Sequence, residues 1–286
     1  MVHRFFKDFN ITLPVEREEF LEYYIKEFDS YFDLEKKLKL FLECVETFPD
    51  ENDFYSYRNG VVSAILKEIE NSQSYQEFVS QALLESHKTD GLPKNLFIES
   101  NAGKTCISVD LKHGNFLALK TYDKSIVKNA DTWEKFVRNF TSFGYLQESR
   151  HIRQATLGKL NNKRIMNYER VILENEILPM VLESTGFEMK DILYHNFDEI
   201  VFDATGWHGK LEVPDKYADD VHVEEFKLEK LQSIYIKRGE KTKLKCVSTN
   251  LFPQAYKHVF GKKLKDKDMY FMFDGCLSKY VEETKF

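Results

Sequence analysis

The chain has little of what builds disulfide frameworks, clustered metal sites or membrane spans. Its four cysteines, at positions 44, 106, 246 and 276, include no close pair. This spacing excludes both a CxxC metal site and a dense disulfide framework. No apolar stretch approaches the roughly 18 residues of a membrane span, and the first residues are charged too early for a secretory signal. We therefore expect isolated thiols in a reducing compartment, no membrane partner and a cytoplasmic location.

Glycine and proline are also scarce, at 12 and 6 residues, whereas phenylalanine (24) and tyrosine (15) are abundant. Together with many Lys, Asn and Ile residues, this composition is typical of A/T-rich genomes such as those of many phages. A phage-encoded protein would act in the cytoplasm of its bacterial host. Hydrophobic residues make up 42% of the chain and charged residues 31%. These fractions predict a globular protein of one large or two smaller domains rather than a disordered chain.

Positive charge is in short supply, because the formal net charge is −6. Proteins that bind nucleic acid mainly by neutralising phosphates are more often basic. The charge balance therefore disfavours a simple DNA-coating role. It does not exclude a polymerase-like enzyme, whose carboxylates are offset by metal ions and whose basic groups are local.

Hydrophobic periodicity predicts an α+β fold with a helical N-terminal region. Apolar residues recur at helical spacing over residues 15–87. The turn at residues 89–93, Thr-Asp-Gly-Leu-Pro, is the clearest boundary. Beyond it we expect short strands near residues 95–100 and 105–110, and a strand or the start of a helix at 115–120. The predicted segments are a helical region (1–90), a central core (91–214) and a C-terminal α+β region (215–286).

The later part of the chain alternates between helical and extended patterns. We expect a helix over residues 133–143, and a long, mostly helical stretch at 149–182 that is broken at Asn161-Asn162. Extended structure returns over 191–205, with Asp198 and Glu199 at a hairpin bend. Further expected strands lie at 224–228, 233–237, 243–247, 269–273 and 277–281, with a helix at 252–260.

The segment Asn101-Ala-Gly-Lys-Thr105 has some features of a phosphate-binding loop. That motif needs a glycine where Ile98 stands and a helix after Lys104-Thr105, where an apolar strand pattern follows. Both requirements fail. We therefore expect a tight turn here, since glycine is the usual turn residue.

Acidic residues in apolar strands are the first candidate site. Asp110 ends the apolar run 106–109, where a carboxylate can project into a cleft and bind a hard cation. Asp198 and Glu199 are flanked by apolar residues on both sides, and charges in such a setting are costly unless they are paired or metal-bound. Two alternatives remain open: Asp110 as a helix N-cap, and Asp198-Glu199 as ordinary turn acids.

Basic residues between these acids form the second candidate site. Arg150 and Arg153 are one helical turn apart and share a face. A triphosphate or a nucleic-acid backbone is a natural partner for this cluster, and a solvated basic face that pairs with Glu148 and Glu169 is the alternative. The candidate phosphate-binding residues are Arg150, Arg153, Lys159, Lys163 and Arg164.

These segments resemble the palm and fingers motifs of family A DNA polymerases over about residues 105–205. In that family an Asp ends a palm strand, a fingers helix carries a basic-x-x-x-aromatic-Gly pattern, and a hairpin carries His-Asp-Glu. Asp110 matches the first, Arg153 to Gly158 the second and Phe197-Asp198-Glu199 the third. The chain departs from the family at six positions. Asn115 stands in place of Glu, Arg153 in place of Lys and Leu157 in place of the aromatic residue. Asn161 stands in place of Tyr, Phe197 in place of His, and Ser149 in place of a basic residue, with Arg150 one position away.

The resemblance implies a palm-like antiparallel sheet with helices and a compact, Mg²⁺- or Mn²⁺-dependent nucleotidyltransferase. Asp110 and Asp198 would be the metal ligands, Glu199 would assist them, and the basic cluster would bind nucleotide phosphates. Nucleic acid and a nucleoside triphosphate are the implied partners. Two alternatives remain: a non-catalytic nucleic-acid-binding protein with a polymerase-like core, and a factor that binds a protein partner through helices 15–87.

Overall fold

The computed structural model describes residues 1–14, 20–84, 89–281 and 286. The chain forms two compact units that interleave along the sequence. Unit 1 contains residues 1–67, 133–156 and 247–286, and unit 2 contains residues 68–132 and 157–246. The beginning of the first expected helix, at Val15, lies outside the described residues.

Twelve α-helices are present in the described part of the chain, and none of them is both long and apolar enough to cross a membrane. A π-helical turn, Ile172–Ile177, joins α10 to α11. The α-helices are α1 (Val2–Asp8), α2 (Leu21–Phe32), α3 (Leu34–Val45), α4 (Glu51–Glu70), α5 (Gln73–Ser80), α6 (Gly114–Tyr122), α7 (Trp133–Val137), α8 (Gly144–Glu148), α9 (Arg150–Leu157), α10 (Asn162–Val171), α11 (Leu178–Thr185) and α12 (Phe252–Val259).

Unit 2 contains a six-stranded antiparallel sheet in the order β2-β3-β1-β4-β5-β6. Its strands are β1 (Thr105–Leu111), β2 (Ile192–His195), β3 (Glu199–Asp203), β4 (Val221–Leu231), β5 (Ile234–Arg238) and β6 (Thr242–Lys245). Strands β4 to β6 complete the sheet that β1 to β3 begin. The units therefore divide the chain differently from the three consecutive segments expected from the sequence.

Alternation of side chains along β1 gives the sheet two different faces. Val109 and Leu111 point to a buried core that also contains Phe202 and the apolar side of the α10–α11 region. Ser108 and Asp110 lie on the opposite face, because neighbouring strand residues point in opposite directions. One face is thus backed by helices, and the other carries the polar residues of β1.

Unit 1 has an aromatic core built from the helices and from the C-terminal part of the chain. The rings of Phe41 and Tyr145 lie 5.1 Å apart, and those of Phe28 and Tyr256 lie 4.9 Å apart. This unit also contains a separate two-stranded hairpin, β7 (Tyr270–Phe273) and β8 (Cys276–Lys279). The many phenylalanines and tyrosines of the sequence therefore supply packing in this unit.

The structure confirms the α+β class, with helices first and an antiparallel sheet with helices after them. It also confirms the strand at 105–110, the hairpin bend at Asp198-Glu199 and the helical stretch from residue 150 that breaks before Asn162. Residues 115–120 belong to helix α6, which settles the open alternative.

Two expected elements are wrong. Residues 95–100 form no strand, because the Asn95 side chain accepts the N–H of Phe97 and the N–H of Ile98 bonds to the carbonyl of Leu96, which turns the chain. The helix expected over 133–143 ends at Val137, and the residues after it form turns.

Candidate functional site

The pairing of β1 with β3 brings the two aspartates predicted as metal ligands to the same end of the sheet. Asp110 lies opposite Glu199 in the register of these strands. The N–H of Leu111 donates to the carbonyl oxygen of Asp198 at 2.8 Å. Asp110 in β1 and Asp198 at the bend before β3 are therefore neighbours with one main-chain hydrogen bond beside them, although they stand 88 positions apart in the sequence.

The pKa of Tyr194, on β2, is affected by all three predicted acids. Burial raises the pKa of the Tyr194 hydroxyl, and the negative charges of Glu199, Asp198 and Asp110 raise it further, in that order. A single side chain thus senses all three carboxylates predicted from the sequence. The main chain thus places Asp110, Asp198 and Glu199 at neighbouring positions where β1 meets the start of β3.

Glu199 is held on the polar face of the sheet by side chains from two other strands. The hydroxyl of Ser108 on β1 donates to its carboxylate at 2.6 Å. Nζ of Lys237 on β5 lies 4.0 Å from Glu199 and 3.5 Å from Glu224 on β4. The Lys237 ammonium also lies 4.0 Å from the centre of the Phe226 ring. These contacts fix the orientation of Glu199 rather than leave it as a solvated turn acid.

A fourth acid, Glu169 on α10, lies beside this group, and the sequence reading missed it. Glu169 is buried, with only 7% of its surface exposed. Burial, and second the negative charge of Asp198, raise the pKa of the Glu169 carboxyl to about 8. In the sequence analysis Glu169 enters only as a partner of the solvated basic face, one of the two open alternatives. The signal was present, because Glu169 falls on the apolar stripe of Ile165, Ile172 and Leu173 at helical spacing.

The N-terminus of α6 lies next to Asp198 and Glu169. A Cβ atom on Gly114, the first residue of α6, would lie 3.3 Å from Cβ of Asp198 and 3.3 Å from Cδ of Glu169. This spacing is tighter than an ordinary van der Waals contact, so glycine permits the close approach. The start of α6 thus lies beside the Glu169 carboxyl and beside Cβ of Asp198.

A buried polar network anchors the end of β2, three residues before Asp198. Nε2 of His195 lies 3.1 Å from the Thr89 hydroxyl, and Nδ1 lies 2.8 Å from Nζ of Lys94. Thr89 also donates to the carboxylate of Glu174, in the π-helical turn. Burial, and second the charge of Lys94, lower the pKa of His195 to about 4. His195 is therefore neutral at pH 7. The network fixes the end of β2, from which the chain turns through Asp198 into β3.

The basic residues of the second candidate site have different surroundings. Lys159 and Lys163 are exposed, both in unit 2. Arg164 is only 1% exposed, and its guanidinium donates to the carbonyls of Phe78 and Ala82, at 3.1 and 2.5 Å, and to the Gln81 side chain at 3.2 Å. Its donors are occupied within the fold, so we leave Arg164 out of any phosphate site.

Arg150 and Arg153 lie on α9, in the part of that helix that belongs to unit 1. Arg150 is exposed. Nε of Arg153 is buried and has no hydrogen-bond acceptor among the described residues, and the same is true of the Thr156 hydroxyl one turn further on. Burial, and second the charge of Arg150, lower the pKa of Arg153 to about 10. The negative charge of Glu134 acts in the opposite direction, but it does not offset the effect of burial.

The different roles of Arg164 and Lys163 are testable by unfolding. Arg164→Met removes three donors and leaves partly buried carbonyl groups without partners, so we expect the free energy of unfolding to fall by about 2–3 kcal/mol. Lys163→Met, one residue away and exposed, is the matched control, with an expected change within about 0.5 kcal/mol. Urea unfolding followed by circular dichroism measures both. Equal effects of the two substitutions would contradict the structural role of Arg164.

Among the described residues, no group of three or more His, Cys, Asp or Glu side chains is placed to hold a metal ion. The strands bring the main chains of Asp110 and Asp198 together; Asp110 lies on the polar face of the sheet, and Cβ of Asp198 lies beside Gly114 at the start of α6. Comparisons with protein-family models, with curated proteins and with solved structures found no match to this chain.

Proposed function

We propose that the protein is a compact, divalent-metal-dependent nucleotidyltransferase that resembles a minimal or divergent DNA polymerase. One observation carries this proposal: the β1–β3 pairing sets Asp110 beside the bend that holds Asp198 and Glu199. Carboxylates at adjacent strand ends are what two-metal phosphoryl transfer requires of a protein.

The donor set fits Mg²⁺ or Mn²⁺. Mg²⁺ is usually bound through one or two carboxylates, with water molecules and substrate phosphates completing its coordination. Asp110 and Asp198 supply two carboxylates, so a third protein ligand is not required.

Metal ions bound at these aspartates would activate a 3′-hydroxyl and stabilise the leaving pyrophosphate. Asp110 and Asp198 bind and position the cations. Ser108 and Lys237 fix the carboxylate of Glu199. Glu199, next to Asp198 in the sequence, assists the two metal ligands. The phosphate-binding role of Arg150 and Arg153, which lie in unit 1, rests on the motif resemblance alone. Lys159 and Lys163 remain candidate phosphate contacts.

The test is incorporation of labelled nucleotides on a primed template with Mg²⁺ or Mn²⁺. The proposal expects primer extension that disappears when EDTA is added. No extension with DNA or RNA primers, templates and nucleotides would refute it.

A second candidate function is a non-catalytic nucleic-acid-binding protein that keeps a polymerase-like core. Two observations favour it: Asn115 stands where the resemblance expects Glu, and no set of three metal-binding side chains is found in the described part of the chain. This alternative expects nucleic-acid binding that survives both chelation and the loss of Asp198.

A further inference from the structure

The C-terminal part of unit 1 concentrates exposed positive charge in a chain whose net charge is −6. We call residues 260–279 the basic hairpin segment. It runs from the end of α12 through a short 3₁₀ helix, Asp266–Met269, into the β7–β8 hairpin. Its exposed charged residues are five lysines and two aspartates: Lys262, Lys263, Lys265, Lys267, Lys279, Asp266 and Asp274.

A buried aspartate fixes this segment to its unit. Both carboxylate oxygens of Asp268 are bonded, one to the hydroxyl of Tyr23 at 2.6 Å and the other to the N–H of Lys265 at 2.8 Å. The Asp268 carbonyl accepts from the Gln254 side chain at 2.6 Å, and the ammonium of buried Lys257 lies 3.5 Å from its carboxylate. The lysines on either side of Asp268 are therefore held on a defined surface.

The β7–β8 hairpin adds exposed aromatic and apolar side chains to this surface. Tyr270, 43% exposed, lies directly opposite Lys279 in the register, so the ring and the ammonium share one face. Leu277, on the same face, is 54% exposed, and Phe273, at the turn, is 68% exposed. Asp274 and Gly275 form that turn, both with positive φ. Tyr270 thus lies beside Lys279, and Phe273 lies at the tip on the other face of the hairpin. Large rings left in water mark an interaction surface.

We propose that the basic hairpin segment binds single-stranded nucleic acid. Lysines neutralise the phosphates, and exposed rings stack on bases, which is the combination that single-strand-binding surfaces use. A duplex buries the faces of its bases and would leave Tyr270 and Phe273 without stacking partners. An anionic membrane fits less well, because Asp274 adjoins Phe273 at the tip and would have to enter the lipid interface with it.

This binding surface lies in unit 1, whereas the aspartates of the proposed metal site lie in unit 2. It is therefore independent of the proposed catalytic chemistry. An assay in EDTA separates the two, because single-strand binding needs no divalent metal. Failure of nucleotide incorporation leaves this inference standing, and failure of binding leaves the catalytic proposal standing.

The test is fluorescence anisotropy of labelled dT20 and rU20 oligonucleotides with the full chain in EDTA. We expect Lys263→Ala/Lys267→Ala to weaken binding at least about tenfold and to reduce the salt slope of log K by about 1.4, which is two single-strand phosphate contacts. Tyr270→Ala/Phe273→Ala should weaken binding at least about tenfold with little change in that slope, because stacking is not ionic.

Matched controls replace exposed residues elsewhere in unit 1. Lys7→Ala/Lys39→Ala removes the same charge from α1 and α3, and Leu42→Ala removes an exposed apolar side chain. Both should bind as the wild type does, and Lys263→Arg/Lys267→Arg should keep the wild-type affinity. The inference is overturned if the lysine and aromatic variants bind as the controls do. It is also overturned if the wild type binds phosphatidylserine vesicles but neither oligonucleotide.

Discussion

Asp198→Asn is expected to lower nucleotide incorporation on the order of 1,000-fold while the protein remains folded. The stabilisation that a metal ion gives to the charge of a phosphoryl-transfer transition state is worth several kcal/mol, and each 1.4 kcal/mol corresponds to a tenfold change in rate. The substitution keeps the size of the side chain and the main-chain bond from Leu111 to residue 198. Primer extension with Mg²⁺, together with a thermal melt, measures both halves of the expectation.

Strand β3, which follows Asp198, offers a matched control. Asp203 is the acid at its far end, where it forms an ion pair with Lys104 at 2.9 Å. Asp203→Asn removes one carboxylate from β3 at a distance from the site, so incorporation should stay within a few-fold of wild type. Equal loss in both variants would mean that strand stability, and not metal binding, explains the effect.

Glu169→Gln is expected to stabilise the protein at neutral pH and to change how stability depends on pH. The Glu169 carboxyl has a pKa of about 8 in the folded protein, against an ordinary value of 4.5. Between these values the folded state holds a proton that the unfolded state lacks. The wild type therefore loses stability as the pH rises from about 4.5 to 8, on the order of 3 kcal/mol by pH 7.

The glutamine variant has no such proton and should be more stable than the wild type, with the difference growing from pH 5 to pH 8. Urea unfolding at pH 5, 6, 7 and 8 measures this difference. Glu183→Gln, at an exposed position on α11, is the matched control and should follow the wild-type profile. A Glu169→Gln profile parallel to that of the wild type would contradict the burial and charge crowding inferred for this carboxyl.

Strand positions were predictable because β1 and the β2–β3 hairpin carry their information locally. Apolar and polar residues in β1 sort onto the two faces of the sheet, and the acids at Asp198-Glu199 interrupt an apolar run where the chain turns. The α+β class follows from the change in periodicity near residue 90. The order of the strands across the sheet cannot be read this way, since it depends on pairings between distant segments.

Surroundings set by tertiary structure explain what the sequence could not predict. Arg164 and Lys163 are adjacent cations of the same apparent kind, yet one is buried among carbonyls of residues 78–82 and the other is exposed. Glu169 looked like a surface partner for Arg residues, but it faces Asp198 and the start of α6. In each case the deciding contacts lie about 30 to 90 residues away in the chain, beyond any local pattern.

The most direct test of the central claim is Mn²⁺ binding in the presence of a nucleoside triphosphate and nucleic acid. Electron paramagnetic resonance of free Mn²⁺ compares the wild type with Asp110→Asn/Asp198→Asn, and Asp203→Asn serves as the control. The account predicts Mn²⁺ binding by the wild type and the control that exceeds binding by the nucleotide alone, and loss of this excess in the double variant. Equal Mn²⁺ binding by the wild type and the double variant would contradict a metal site at Asp110 and Asp198.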